Sequence, residues 1–170
     1  NSMKEQKIAV IGMGMWGKNI VRNFYNLNVL EMVCDLDDES LKSVQEQFPG
    51  VKVTKDFNDI INNPDITGVA VVTPSHTHFK IVKAMLEAGK NVYVEKPIST
   101  VAEEAKVLTE LAESKGLVLM VDHLLLYHPA VNRLKMLIEE GVLGELVYAQ
   151  SDRLNVNYHK NDRSVMWDLA

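Results

Sequence analysis

Three glycines and one aspartate carry most of the chemistry legible in this chain. Lys7 to Gly17 reads Lys-Ile-Ala-Val-Ile-Gly-Met-Gly-Met-Trp-Gly, so Gly12, Gly14 and Gly17 form a G-x-G-x-x-G directly behind the apolar run Ile8 to Ile11. Glycine at the first position permits a tight turn. At the second it lets a diphosphate reach main chain that a side chain would cover, and at the third it lets a helix pack closely. A helix is expected after the turn, because Trp16, Ile20, Val21, Phe24 and Leu27 recur at helical spacing with Lys18, Asn19, Arg22 and Asn23 between them. Its N-terminus offers unpaired N–H groups and a partial positive charge, and no Asp or Glu lies between Gly12 and Leu30 to oppose an anion there. Strand, glycine turn and helix predict a dinucleotide site formed by Gly12, Gly14, Met15, Trp16 and Gly17.

The second half of the pattern is Asp35, at the C-terminal end of the next expected strand, Val29 to Cys34, and 18 positions beyond Gly17. A carboxylate there accepts hydrogen bonds from the adenosine ribose hydroxyls. Asp37 and Asp38 follow, and no Arg or Lys occurs until Lys42. Three carboxylates in four residues repel a 2′-phosphate, so the pattern favours NAD over NADP. The same residues also fit two other readings: a glycine turn beside a solvated acidic loop, or a methyl-donor site with a similar turn.

These residues need a scaffold, and the chain spells one out. Glu39 to Phe48 is an expected helix closed by Pro49-Gly50, Val51 to Thr54 a short strand, and Asp56 caps a helical turn through Ile61. Gly68 to Val72 is a third apolar strand leading into Thr73-Pro74-Ser75-His76. Thr77 to Ala88 is an amphipathic helix stopped by Gly89, and the strand Asn91 to Val94 runs into Glu95-Lys96-Pro97. Thr100 and Glu103 read as a capping box opening a long helix that ends at Gly116; Leu117 to Val121 is the sixth strand, and Pro129 starts a helix reaching Gly141. Strands alternating with helices predict an α/β doubly wound parallel sheet, strand order 3-2-1-4-5-6.

Composition narrows the function classes. A net charge of −5 supplies no basic face for nucleic acid, and no apolar run has the length of a membrane span. The single cysteine, Cys34, allows no disulfide framework or cysteine metal site within one chain, which suits a reducing cytoplasm. No metal site is expected: His76 and His78, two apart at a helix start, do not face each other. The methionines, Cys34 and much of Trp16 read as core, and Glu139-Glu140 as a solvated helix end.

Beyond Gly144 the pattern changes. Glu145 to Asn155 reads as one long strand with no partner strand after it, which cannot bury its face or pair its backbone alone. The expectation is a dinucleotide-binding domain over residues 3–127, then residues 128–170 as a linker helix and the unfinished start of an α+β second domain. The 170 residues would then be a piece of a longer enzyme. The alternative is that the strand pairs with another chain.

The G-x-G-x-x-G continuing as Trp16-Gly17-Lys18-Asn19, Thr73-Pro74-Ser75-His76 and above all Glu95-Lys96-Pro97 resemble the glucose-fructose oxidoreductase, inositol dehydrogenase and MocA family. Pro129-Ala130, Gly141-Val142-Leu143-Gly144 and Trp167-Asp168-Leu169-Ala170 stand in the expected order. The resemblance spans the whole chain, and its later half is most similar to members that oxidise nucleotide-linked sugars, such as UDP-N-acetylglucosamine 3-dehydrogenase.

The resemblance implies an NAD(P)-binding Rossmann fold and an NAD-dependent dehydrogenase that exchanges a hydride with a sugar carbon. It implies that Thr73, Pro74, His76, Glu95 and Lys96 line the cofactor groove, and that Lys96 also contacts the reacting hydroxyl. From position alone, Lys96 is equally a solvated loop lysine. The family's proton acceptor is a histidine four residues beyond an aspartate; Asp168 matches the aspartate and the chain stops two residues short of the histidine, so this stretch alone is expected to bind cofactor without turnover. Asp168 also reads as a helix N-cap. His123, Tyr127, Arg153 and Asn155 are candidate substrate contacts by the same resemblance, and His128 borders them. The other readings are an Asp122–His123 pair closing the strand and, for Arg153 and Asn155, an exposed charged face. Oligomerisation of the full-length protein is implied too. Three functions stay open: a nucleotide-sugar dehydrogenase, a dehydrogenase of a free polyol such as inositol, and a non-catalytic NAD-binding module.

Overall fold

Six strands, β1 (Ile8–Ile11), β2 (Leu30–Cys34), β3 (Lys52–Thr54), β4 (Gly68–Val71), β5 (Asn91–Val94) and β6 (Leu119–Val121), pair side by side in the order β3-β2-β1-β4-β5-β6. Every pairing is parallel. The computed structural model describes residues 6–152, and the chain divides into two units, Asn1–Val121 and Asp122–Ala170.

Alternation along the strands builds two apolar layers in the first unit. Ala9, Ile11, Met32, Cys34, Val69, Val71, Val92 and Val94 face one layer. It is closed by Ile60 of α3 (Asn58–Ile61), by Ile81, Val82, Met85 and Leu86 of α4 (His78–Glu87), and by Leu108 and Ala112 of α5 (Ala102–Lys115). Val10, Val33 and Ala70 face the other layer, covered by Val21 of α1 (Gly17–Asn26) and by Leu41 and Val44 of α2 (Asp38–Gln47). Successive strand residues point to opposite faces, so strands this apolar must be covered on both sides. Met85 and Leu86 have no exposure, and each such burial contributes about 1.5–3 kcal/mol. The doubly wound sheet and its order are those expected from the sequence. The order reverses between β1 and β4, which opens a crevice at the carboxyl ends of those two strands.

Helix ends follow local chemistry, with instructive departures. Asp37 caps α2 by accepting the Ser40 N–H at 2.9 Å, and Gly89 (φ 76°) and Gly116 (φ 63°) follow α4 and α5 as the left-handed stops expected of them. Asp56 accepts the Asn58 N–H at 2.9 Å, although Phe57 holds the cap position of α3. The Thr100–Glu103 capping box does not form. Val101 is the extended residue before α5, and the job passes to Ser99, whose hydroxyl accepts the Val101 N–H at 3.0 Å and donates to Glu104. Trp16 and Leu27, expected on the inner face of α1, are 52% and 66% exposed. They are the residues flanking the helix rather than members of it, so its periodicity does not carry them to the sheet.

In the second unit, Pro129 opens α6 (Pro129–Glu139) at the position expected of it, and His128 Nδ1 accepts the Ala130 N–H at 3.2 Å. The expected strand from Glu145 is not present over residues 145–152, where Val147 and Tyr148 are exposed. A strand with no partner for its N–H and C=O groups has nothing to hold it extended. The rest of that expectation lies outside the described residues. No described helix is long and apolar enough to cross a membrane.

Candidate functional site

The glycine loop bridges the carboxyl ends of β1 and β4, and each glycine there answers to a different constraint. Gly12 has φ 101°, and a Cβ on it would lie 2.7 Å from the Val72 carbonyl oxygen. A Cβ on Gly17 would lie 2.1 Å from the carbonyl oxygen of Gly12, so the third glycine is demanded by the turn itself rather than by the strand. Around Gly14 a Cβ would meet nothing within 4 Å. Two glycines shape the loop, and the middle one leaves an open face.

Helix α1 starts behind that face with no side-chain cap and no acidic residue in its first turn. Its first N–H groups point out of the helix with a partial positive charge, the arrangement that receives a phosphate. Met15 and Trp16, beside Gly14, are largely exposed.

Asp35 is tied to the same loop. One carboxylate oxygen accepts the Met13 N–H at 2.5 Å and the other accepts the Asp37 N–H at 2.8 Å. A carboxylate has about four acceptor positions, so two such bonds fix its direction and leave capacity for ribose hydroxyls. Its acidic neighbours are already engaged. The Asp37 carboxyl is held below the usual carboxylate range by its bonds to Ser40, and Asp38 pairs with Lys55 at 2.7 Å. Lys55 follows β3 and is far from the loop in sequence, so charge counting along the chain overlooked it. Asp35 is therefore the carboxylate of the three that is built into the site. Behind it, burial, followed by the nearby carboxylates Asp35, Asp56 and Asp59, pushes the Cys34 thiol up to about 11. The thiol stays protonated and serves as core.

Across the crevice, Thr73 and Pro74 leave β4 and enter a 3-10 turn, Ser75–Thr77. The Thr77 hydroxyl lies 2.7 Å from both Thr73 Oγ1 and the Pro74 carbonyl. His76 is exposed, while His78 is 1% exposed, with Nδ1 2.7 Å from the Pro97 carbonyl oxygen and Nε2 2.8 Å from that of Thr73. Sequence reasoning weighed His78 only as a metal ligand and missed this buried bridging role. The signal was present: it shares the inward face of α4 with Ile81, Val82 and Met85, at spacings of three, four and seven. Ser75 was also missed; it is 4% exposed and its hydroxyl has no hydrogen-bond partner among the described residues.

Glu95 and Lys96 stand half-buried beyond β5, the strand beside β4. The Glu95 N–H donates to Val71 at 2.9 Å and its carboxylate accepts the Lys96 N–H at 3.1 Å, which fixes the start of the loop. The Lys96–Pro97 peptide is cis. Thus the glycine loop, Asp35, Thr73, Pro74, His76, Glu95 and Lys96 all lie at the carboxyl ends of β1, β2, β4 and β5. His123 and Tyr127 belong to the second unit, where both are exposed. Arg153, Asn155 and Asp168 lie outside the described residues. Among the described residues no cluster of three or more His, Cys, Asp or Glu is gathered to hold a metal.

The residues fit a dinucleotide on the structure's own terms: an open face at Gly14, an uncapped helix start, a fixed carboxylate and an orphaned buried hydroxyl. Comparison with known proteins agrees. Residues 6–123 match the family model described as "Oxidoreductase family, NAD-binding Rossmann fold". The chain is 38% identical over 122 residues to the uncharacterised oxidoreductase YdgJ of Escherichia coli K12, covering 72% of this chain and 34% of that protein. It is 32% identical over 147 residues to the inositol 2-dehydrogenase of Rhodococcus jostii RHA1, covering 84% and 40%. Among solved structures, scyllo-inositol dehydrogenase of Lactobacillus casei with bound NAD(H) and scyllo-inositol superposes with a TM-score of 0.76 at 25% identity, covering 84% of this chain and 43% of that one. UDP-N-acetylglucosamine 3-dehydrogenase GnnA of Acidithiobacillus ferrooxidans superposes with a TM-score of 0.70 at 27% identity, covering 76% and 42%. The chain spans less than half the length of each of these relatives. A family match over residues 6–123, which span the whole six-stranded sheet, places this chain in the glucose-fructose oxidoreductase, inositol dehydrogenase and MocA family of oxidoreductases, as its NAD-binding Rossmann fold.

Proposed function

We propose that this chain is the cofactor-binding part of an NAD-dependent dehydrogenase acting on a hydroxyl-bearing carbon of a sugar or polyol. The observation that carries the reading is the division of labour among the glycines: Gly12 and Gly17 are forced by backbone contacts, while a Cβ on Gly14 would meet nothing within 4 Å among the described residues. A glycine with no internal reason, held against an uncapped helix start, has its reason in a ligand.

Bound NAD supplies the acceptor for a hydride. The chain's own residues do the rest. The main chain at Gly14 and the first turn of α1 receive the diphosphate, and Asp35 accepts from the ribose. Thr73, Pro74, His76 and Glu95 line the groove. Lys96 stands at the end of β5 to hydrogen-bond the reacting hydroxyl, and Asp168 belongs to the acid–base pair that takes its proton.

A nucleotide-linked sugar is the favoured substrate, supported by the similarity to GnnA and by Arg153 and Asn155, groups suited to phosphate and hydroxyl contacts. His123 and Tyr127 complete that proposed substrate set. A free polyol is the second reading, supported by the similarity to the Rhodococcus inositol 2-dehydrogenase. Association of whole-protein copies through the second domain is part of the same proposal, checked by light scattering.

Fluorescence titration of the chain with NADH and NADPH tests the cofactor site. Tighter NADH binding that is lost in Asp35→Ala is expected; tighter NADPH binding overturns it. Turnover assays of the whole protein against UDP-sugars, inositol and free hexoses separate the substrate readings. Intact NADH binding with no turnover on any of them would favour a non-catalytic NAD-binding module.

A further inference from the structure

We infer that His78 is a doubly protonated imidazolium that locks the loop after β4 to the loop after β5, and through them sets the position of Lys96. Both ring nitrogens face carbonyl oxygens, Pro97 at 2.7 Å and Thr73 at 2.8 Å. A carbonyl oxygen can only accept, and a neutral imidazole carries one N–H. The neutral ring would therefore set a lone pair against an oxygen lone pair at one of these two contacts, in a residue 1% exposed. The cation donates to both.

Two effects oppose the cation. Burial disfavours charge, and His78 is the first residue of α4, where the helix's partial positive charge lies. Two charge-assisted hydrogen bonds outweigh the second effect, and they are what the first requires of a buried ion. The other charged groups of the clamped loop are Glu95, whose carboxylate accepts the Lys96 N–H, and Lys96 itself.

The consequence is mechanical. Thr73 directly precedes Pro74 and Ser75, and Pro97 directly follows Lys96, so the ring is a strut between two segments of the crevice carried by adjacent strands. With the Thr73 and Pro97 carbonyls pinned, neither the orphaned Ser75 hydroxyl nor the Lys96 backbone can drift. His78 touches no reacting atom in this account; it is a positioning residue. The effect on Lys96 and on cofactor binding rests on the dehydrogenase reading above, whereas the charge on the ring does not.

The test therefore has two arms on the 170-residue chain. In the first, long-range 1H–15N correlation spectra of ligand-free protein at neutral pH are assigned by the signals lost in His78→Gln. Both His78 ring nitrogens are expected in the protonated class. A neutral tautomer at His78 overturns the inference. In the second, NADH is titrated into the wild type, His78→Gln and His78→Leu at a temperature where all three are folded by circular dichroism. His78→Leu should bind on the order of tenfold more weakly, and His78→Gln, which retains amide donors, should recover part of the loss. Wild-type affinity in His78→Leu overturns the positioning role. If the wild type binds no NADH, the functional reading fails and the spectra still decide the state of the ring. Should His78→Leu not fold, His78→Gln and the spectra carry the decision.

Discussion

Alanine at each of the three loop glycines separates what the fold needs from what the ligand needs. At Gly17 the new methyl would sit 2.1 Å from the Gly12 carbonyl oxygen and 2.9 Å from its carbon, and neither is a side chain that can turn away. Overpacking of this kind costs about 1–3 kcal/mol. At Gly12 the methyl would meet Val72 at 2.7 Å with φ at 101°, and a side chain in such a conformation adds strain of about 1–3 kcal/mol. Against a domain stability of about 5–15 kcal/mol, and at roughly 3 °C per kcal/mol for a chain of this size, either change should lower the melting temperature by several degrees, Gly12→Ala by more. At Gly14 the methyl meets nothing within 4 Å, so melting should hold to within about 1 kcal/mol or rise slightly. NADH affinity should nonetheless fall at least about tenfold, or 1.4 kcal/mol, because the methyl occupies the face offered to the diphosphate. Thermal melts followed by circular dichroism, paired with fluorescence titration of NADH, read the two quantities independently. A Gly14→Ala chain that binds NADH as the wild type does, or a Gly17→Ala chain that melts with it, refutes the reasoning.

Other outcomes follow from particular contacts. Glu31 is held below its ordinary value of 4.5 chiefly by its hydrogen bond from Lys52, with Lys7 assisting. Its contribution is present above the unfolded value and lost as pH falls through the folded one, so Glu31→Gln should flatten the loss of stability below about pH 4.5; an unchanged acid limb in chemical denaturation counts against the pair. Cys34, pushed up to about 11, is about one part in a thousand thiolate at pH 8, so iodoacetamide should label the folded chain far more slowly than the unfolded one. Equal labelling rates by mass spectrometry would contradict its burial. Ser99→Ala removes the acceptor for the Val101 N–H and the donor to Glu104 at the start of α5, for an expected loss of about 1–2 kcal/mol. A melt identical to wild type would show that this cap contributes nothing.

The strands, the glycine turn and most helix ends are legible in the sequence because their causes are local. An apolar run such as Ile8 to Ile11 has to be covered on both faces, and glycine stops such as Gly89 and Gly116 act within a few residues. The Thr100–Glu103 box was misread for the same reason: local pattern offered two hydroxyls in succession, Ser99 and Thr100, and only the path of the chain into α5 chose between them. The segment from Glu145 has the alternation of a strand, yet a strand is a property of a pair.

Within the site, the sequence by itself determined the loop and its acid, since G-x-G-x-x-G and Asp35 work through main-chain geometry and one carboxylate. Which glycine is free for a ligand, which of three aspartates is built into the loop, and that Lys55 answers Asp38 were decided only when β1, β2, β3 and β4 came together. His78 is the clearest case. Its spacing on α4 says that it is buried, but its partners on Thr73 and Pro97 come from the ends of two strands, 5 and 19 residues away. A hydrogen bond needs its acceptor within about 3 Å in space, and distance along the chain carries no record of that.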